Sequence, residues 1–296
     1  MTTSAETWYR ELYLSKITHK YKNAGFLLKQ WVQPPSEING KTLHFPVALP
    51  GVAQKTKRGD TAKPMNAGRS DKTVTADWYE APEEIFKIDI HKMAPSEMEA
   101  ATKNASDALG QAHDLAIMSA FNAGVGSYTN PDASTVVGSG TAAWDIAKAL
   151  TAENFLFRKT DSPREMAVCV LPSTAFTQMK TFQAVANSQY TGEYMLAKGV
   201  QAFTWSRTHW ICGYDSMFPQ AAPSGGHTDT TFYMWFPNAI GSGDTGGIQT
   251  AINYIPERRC WLHDNTIEIG ASVLLPEAIV ECHMDINSLP TITLTA

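Results

Sequence analysis

Residues 96–123 read SEMEAATKNASDALGQAHDLAIMSAFNA, and this stretch decides the class of fold. Ser96 three residues ahead of Glu99 makes a capping box, and Gly124 follows the last turn. Met98, Ala101, Ala105, Ala108, Leu109, Ala112, Leu115 and Ala116 recur at spacings of three and four, a single apolar stripe on a helix. At 1.5 Å per residue the predicted helix is about 40 Å long, which is long for a globular domain. Its stripe is mostly Ala, so a sheet can approach it closely.

Strand composition lies on the N-terminal side. TLHFPVAL (42–49) is strand-like, and KTVTADWYEAPEEIFKIDIHKM (72–93) resumes that character with Val74, Trp78, Ile85, Phe86, Ile88 and Ile90. Between them runs a polar tract rich in Gly and Lys, GVAQKTKRGDTAKPMNAGRSDK (51–72). Two extended arms around a long polar tip predict a protruding hairpin. Residues 1–40 end in the turn signals QPPSEING and are too short to bury a core, so they read as an arm.

On the C-terminal side a Gly/Ser/Thr-rich loop (124–141) precedes a short helix around AAWDIAKAL. EMAVCVL (165–171) reads as a buried strand, and Pro172-Ser173 opens a helix through TAFTQMKTFQAVA. GVQAFTWSRTHWICG and TFYMWF are strands, and residues 258–285 are nearly all strand. Helices and strands do not alternate regularly, so the fold class is α+β.

The chain has 296 residues, 43% of them hydrophobic and 18% charged, with a net charge of −5. That excludes a strongly basic nucleic-acid binder and a disordered chain. No apolar run approaches the roughly 18 residues of a membrane helix. Cys169, Cys212, Cys260 and Cys282 show no metal or redox spacing and read as free thiols.

Catalytic motifs are missing. Gly241-Ser242-Gly243-Asp244-Thr245-Gly246 matches G-x-G-x-x-G, but Pro237 and Asn238 break the approach from a strand. The following GIQTAINYIPERR is a weak helix at best, so a flexible loop is the simpler account. A dinucleotide-binding enzyme built on this loop is one alternative, and a carbohydrate-binding module using the dispersed tryptophans is another. His113 beside Asp114 reads as a solvated or inter-subunit position, and Cys282 and His283 point to opposite faces of a strand. No catalytic, cofactor-binding or metal-binding residue is assigned.

Charge patterning says more. Lys55, Lys57, Arg58, Lys63, Arg69 and Lys72 against Asp60 and Asp71 give the hairpin tip a balance of +4. Asp77, Glu80, Glu83, Glu84, Asp89, Glu97 and Glu99 against Lys87 and Lys92 give the next stretch −5. One account is a solvated face. The other is that the tip of one subunit finds the acidic surface of another, which makes Lys55, Lys57, Arg58, Lys63, Arg69, Asp77, Glu80, Glu83 and Glu84 the inter-subunit contact candidates.

The order of elements resembles the major capsid protein of tailed bacteriophages, with the Hong Kong ninety-seven type fold. WYEAPEEIFKIDIHKM is similar to the returning strand of that family's extended loop, leading into the spine helix at 96–123. REMAVCVLPSTAFTQM resembles the strand–Pro–helix of its axial domain, and FTWSRTHWICGYDSMFP its later strand and turn. IEIGASVLLPEAIVECHMD resembles its terminal strand pair. The resemblance implies an N-terminal arm (1–40), an extended loop hairpin (41–94), a peripheral domain with the spine helix (95–140 and 251–296) and an axial domain (141–250). The hairpin begins near Lys41, so the long cleaved N-terminal segment of some members is not expected. The resemblance further implies a structural protein, not an enzyme, with no cofactor and no membrane. Its partners are other copies of itself, as hexamers and pentamers of an icosahedral shell around double-stranded DNA, with separate scaffolding, portal and decoration proteins. Its place is the virion, after assembly in the host bacterial cytoplasm.

Overall fold

The computed structural model describes residues 25–51, 53, 55, 56, 58, 61, 65, 67–87, 95–126, 136–161, 165–182, 202–222 and 225–288, apart from the side chains of 95–101 and 126. The long helix predicted from the Ala stripe is there as α1 (Pro95–Gly126), 32 residues or about 48 Å. Its capping box falls outside the described side chains. Burial begins on the predicted stripe at Ala105 and Leu109, then turns to His113, Asp114, Ile117, Met118, Phe121 and Val125. Leu115, counted on the stripe from its spacing, is exposed. The helix covers a sheet with its first half and is embedded in the main core with its second.

Strands β1 (Glu37–Asn39), β2 (Thr42–Ala48) and β3 (Arg69–Thr75) form a three-stranded antiparallel sheet. β2 and β3 pair from Thr42↔Thr75 to Ala48↔Arg69, the two arms of the predicted hairpin. Strands β4 (Asp77–Glu80) and β5 (Glu83–Phe86) follow, before α1.

After α1 come β6 (Val136–Gly138), helix α2 (Ile146–Thr160), β7 (Ala167–Leu171), helix α3 (Ser173–Thr181), β8 (Ala202–Trp205), β9 (Thr208–Cys212) and β10 (Asp229–Trp235). Asp145 caps α2 by accepting from the Lys148 N–H at 2.7 Å. α3 starts at Ser173 after Pro172, as predicted, and ends at Thr181, short of the expected 186. AFTWSRTHWIC (202–212) is a hairpin rather than one strand: Ser206 and Arg207, at φ 52° and 63°, make the tight turn between β8 and β9.

The chain finishes with β11 (Ile240–Asp244), β12 (Gln249–Ile255), β13 (Cys260–Val273) and β14 (Ile279–Asp285). Two expectations change here. GSGD is a buried strand instead of a flexible loop, and QTAINYI is a strand instead of a weak helix. Both pair antiparallel with β13, the 14-residue strand at the centre of a five-stranded sheet. β4 and β5 pair with the other edge of β13.

The six-stranded sheet has the order β6-β14-β10-β7-β9-β8. β7, an uninterrupted run of buried residues, lies between β10 and β9, which is why AVCVL needs no polar alternation. β14 pairs with β10 along its whole length, Asp229↔Asp285 to Trp235↔Ile279. Residues 279–285 therefore share a sheet with 167–235, not with the spine helix and β13. The main core joins this sheet to α2, α3 and the second half of α1, with Trp144, Trp210 and Trp235 fully buried.

Residues 25–33, within the predicted arm, are docked on the body of the protein. Gly25 (φ 70°) lies so close to Gly110 of α1 that a Cβ would sit 2.2 Å from the Gly110 carbonyl carbon. The Phe26 N–H donates to the Gly110 carbonyl, and the Leu27 and Leu28 N–H groups donate to the Asp114 carboxylate at 3.1 and 3.0 Å. Lys29 pairs with Asp244 at 2.7 Å, and the Trp235 indole N–H donates to the Trp31 carbonyl. His113, read as a solvated or inter-subunit position, is fully buried beneath this segment of its own chain.

Candidate assembly surfaces

Alternation along β11 builds the seat of the hairpin. Gly241 and Gly243 face away from α1, and Gly243 lies directly opposite Gly270 of β13. A Cβ at Gly241 would meet Phe45 at 2.5 Å, one at Gly243 would meet Pro35 at 2.6 Å, and one at Gly270 would meet Leu43 at 2.8 Å. The three glycines make a flat bed on which Leu43 and Phe45 are buried together with Leu274. Ser242 and Asp244 point the other way, to His113 and Lys29. The motif is thus a two-faced strand, and no helix follows to hold a pyrophosphate. That overturns the dinucleotide alternative.

The hairpin stays zipped beyond its last paired strand residues. The Leu49 N–H donates to the Gly68 carbonyl, and a Cβ at Gly51 would touch Met65. Nine residues separate Thr42 from Gly51, so the tip begins about 30 Å from the base. Lys55 and Arg58 are exposed in this outer segment, and Arg69 and Lys72 are exposed on β3. Lys57 and Lys63 lie outside the described residues. Asp71 already has a partner in the same hairpin, His44 at 2.7 Å.

The predicted acidic partners do not form one surface. Register places Glu80 opposite Thr266 and Glu84 opposite Leu262, on the face turned away from α1. Asp77 opposite Ile269 and Glu83 opposite His263 belong to the other face, because Ile269 packs against Leu109 of α1. Glu84 is engaged by Arg258 of its own chain. The sequence pattern missed Glu268, which shares the outer face with Glu80 and lies directly opposite Trp78.

A cavity of about 220 Å³ opens beside that pair, lined by Gly40, Trp78, Thr245, Gln249, Thr266 and Glu268 among others. It exists because residues 245–248 bulge away between β11 and β12 where they pass Glu268. The Thr245 hydroxyl donates to Glu268 Oε2 at 2.6 Å, which fixes the carboxylate. Trp78 is 54% exposed, unusual for an indole on a sheet face. Exposed apolar side chains also mark the far end of β5, β12 and β13: Phe86, Ile252, Tyr254 and Trp261.

A protein-family model described as phage capsid protein matches residues 5–285. The chain belongs to the phage capsid protein family. Solved capsids share its fold at low identity. The cyanophage P-SCSP1u capsid is 15% identical, with a TM-score of 0.68 over 93% of this chain and 94% of that one. The Ralstonia phage GP4 capsid is 11% identical, with a TM-score of 0.69 over 93% and 94%. A chain of the head structure of Helicobacter pylori bacteriophage KHP40 is 9% identical, with a TM-score of 0.65 over 93% and 94%. Among curated proteins no sequence matches.

The fold is therefore of the Hong Kong ninety-seven type, and the protein is a structural major capsid protein of the virion. Three of its tryptophans serve the capsid protein's core, so they offer no sugar-binding platform. Among the described residues no group of three or more His, Cys, Asp or Glu side chains could hold a metal ion, and no helix is long and apolar enough to cross a membrane. Cys282 is buried and His283 faces outward, as alternation predicts. His283 Nδ1 lies 2.9 Å from Asp229 and its Nε2 3.0 Å from Glu281. The Glu281 hydrogen bond leads in raising the imidazole pKa, against burial and with help from Asp229. In its protonated form His283 ties β14 to β10 where β6 joins the sheet.

Proposed function

We propose that this capsid protein associates as hexamers and pentamers of an icosahedral shell around double-stranded DNA, without catalytic activity. A separate scaffolding protein, a portal and decoration proteins complete the particle, which assembles in the cytoplasm of the host bacterium. The observation that carries the reading is the hairpin. Its base is packed into a glycine bed, while its tip begins about 30 Å away with Lys55 and Arg58 exposed. Such a lever is built to reach a neighbour. The net charge of −5 suits a wall that must release its DNA, because phosphate affinity comes from clustered Lys and Arg.

We divide the subunit into an N-terminal arm, the extended loop 41–94, a peripheral part holding α1, β12 and β13, and an axial part. The axial part takes residues 141–239 together with β6 and β14, because those two strands complete its sheet, while β11 goes with β13 in the peripheral part. Electron microscopy and sedimentation of the purified protein test the proposal. Shells or capsomer rings are the expected result. A discrete small oligomer under all assembly conditions would overturn it.

A further inference from the structure

We propose that the cavity at the hairpin base, between Trp78 and Glu268, receives an arginine or lysine side chain from the hairpin tip of a second copy, with Arg58 the first choice. The inference rests on the capsid reading and specifies the contact that reading leaves open.

Three observations converge on a cationic occupant. Glu268 is largely buried, with a side-chain exposure of 15%, and Thr245 holds only one of its two oxygens. Oε1 is left facing Lys41 of the same chain at a loose 3.5 Å. Trp78 stands beside it with an exposed ring, the surface on which a guanidinium stacks best. Lys41 already shows the chemistry. Its ammonium lies 5.9 Å from the Trp78 ring centre, at the outer limit of a cation–π contact, and its side chain is 62% exposed. An own-chain cation thus rests at the mouth without filling the cavity. Glycines at the rim, Gly40 and Gly247, leave the mouth clear of side chains.

Geometry selects the donor. The cavity lies at the foot of the hairpin, between Gly40 and Trp78, while Lys55 and Arg58 lie beyond the zipped arms about 30 Å away. A subunit's own tip cannot reach its own cavity, so another copy must supply the cation. Tip-to-base contact is heterologous: every subunit gives once and receives once. Repetition by rotation closes such a contact into a ring. Arg presents a planar fork to one carboxylate oxygen pair and a flat face to the indole, which Lys does not.

Reversing charge on either side tests the contact. R58E and E268K should each lower the yield of rings and shells about tenfold or more while leaving the circular dichroism of the subunit unchanged, because the loss repeats at every copy. The double variant R58E/E268K should recover most of the wild-type yield. An equimolar mixture of the two single variants should recover hexameric rings, since alternating subunits restore a complementary pair at each contact. If E268K does not fold, W78A and W78F carry the test: Ala should lose assembly and Phe should keep it. Wild-type yield for R58E with E268K or W78A, or a double variant no better than the singles, would overturn the pocket. Failure of the wild-type protein to assemble would instead overturn the capsid assembly on which the pocket depends.

Discussion

Mild acid should loosen the seat of the N-terminal segment, through His113. The imidazole has no exposed surface, lies 5.5 Å from the Phe26 ring, and among the described residues hydrogen-bonds only Ser242, at 3.4 Å. Its Nδ1 has no hydrogen-bond partner among the described residues. Burial, reinforced by Lys29 and opposed by Asp244, pushes its pKa down from 6.5 to about 4. A histidine in the unfolded chain titrates near the ordinary value. Between those two pH values the unfolded state takes up a proton that the folded state refuses. Stability is therefore complete above pH 6.5, falls as the pH drops, and levels off below about 4. A span of about two and a half pH units corresponds to about 3 kcal/mol, a large part of a domain's net stability. The assay is urea unfolding of unassembled subunits at pH 7, 6, 5 and 4, for the wild type and for His113→Gln. The variant lacks the titration, so the difference between the two proteins should shrink by about 3 kcal/mol across that range. His283, whose raised pKa gives stability that is lost as pH rises, is common to both proteins and cancels. Hydrogen exchange at Leu27 and Leu28, whose amides are held by Asp114, should quicken on the same pH scale. Parallel stability curves for the two proteins would refute the reasoning.

Two further substitutions probe the frame. Ala108→Pro, in the middle of α1, removes a helical hydrogen bond and should cost about 3 kcal/mol or more, with a visible loss of helical circular dichroism and of shell yield. Gly243→Val drives a side chain into Pro35, 2.6 Å from its first carbon, and should cost about 1–3 kcal/mol at the hairpin seat. Limited proteolysis should then cut the hairpin faster while the six-stranded sheet stays protected.

The elements legible in the sequence are those whose partners are chemically uniform. α1 shows because its stripe meets one sheet, and β7 because both its faces are buried. Pro172 marks the start of α3 through its missing N–H, a local effect that needs no partner. The parts that were hidden depend on contacts distant in sequence. Gly241 and Gly243 carry no hydrophobic signal, yet they alternate faithfully because Phe45 and Pro35 fill the space where side chains would be. β12 is exposed along nearly its whole length, so period two never appears in QTAINYI. His113 looks solvated until Ser242, 129 positions away, is folded against it. The acidic run 77–84 looks like one surface, but two-residue alternation distributes Asp77 and Glu83 to one face and Glu80 and Glu84 to the other.

The same alternation explains how weak contacts can hold an assembly. An exposed ion pair contributes about 0–1 kcal/mol, and much of that is consumed in ordering long side chains and loops. In this subunit the ordering is done in advance. Leu43 and Phe45 are buried on the glycine bed, β2 and β3 are paired for seven residues each, and the Ala76 N–H closes the base on the Lys41 carbonyl at 2.7 Å. A tip carried on a prepaid lever loses little further freedom when it docks, so more of each small attraction remains as association energy. Rotation then repeats that remainder at every subunit of the ring. The acceptor needs the same rigidity, and Glu268 has it from Thr245 on one side and from its place in the longest strand on the other. Lever and receptor are thus anchored to one strand, β13: Gly270 supports the hairpin two residues from the carboxylate that faces the cavity. A shift in the seat of the hairpin must therefore move the foot of the cavity as well, which couples the contact a subunit gives to the contact it receives.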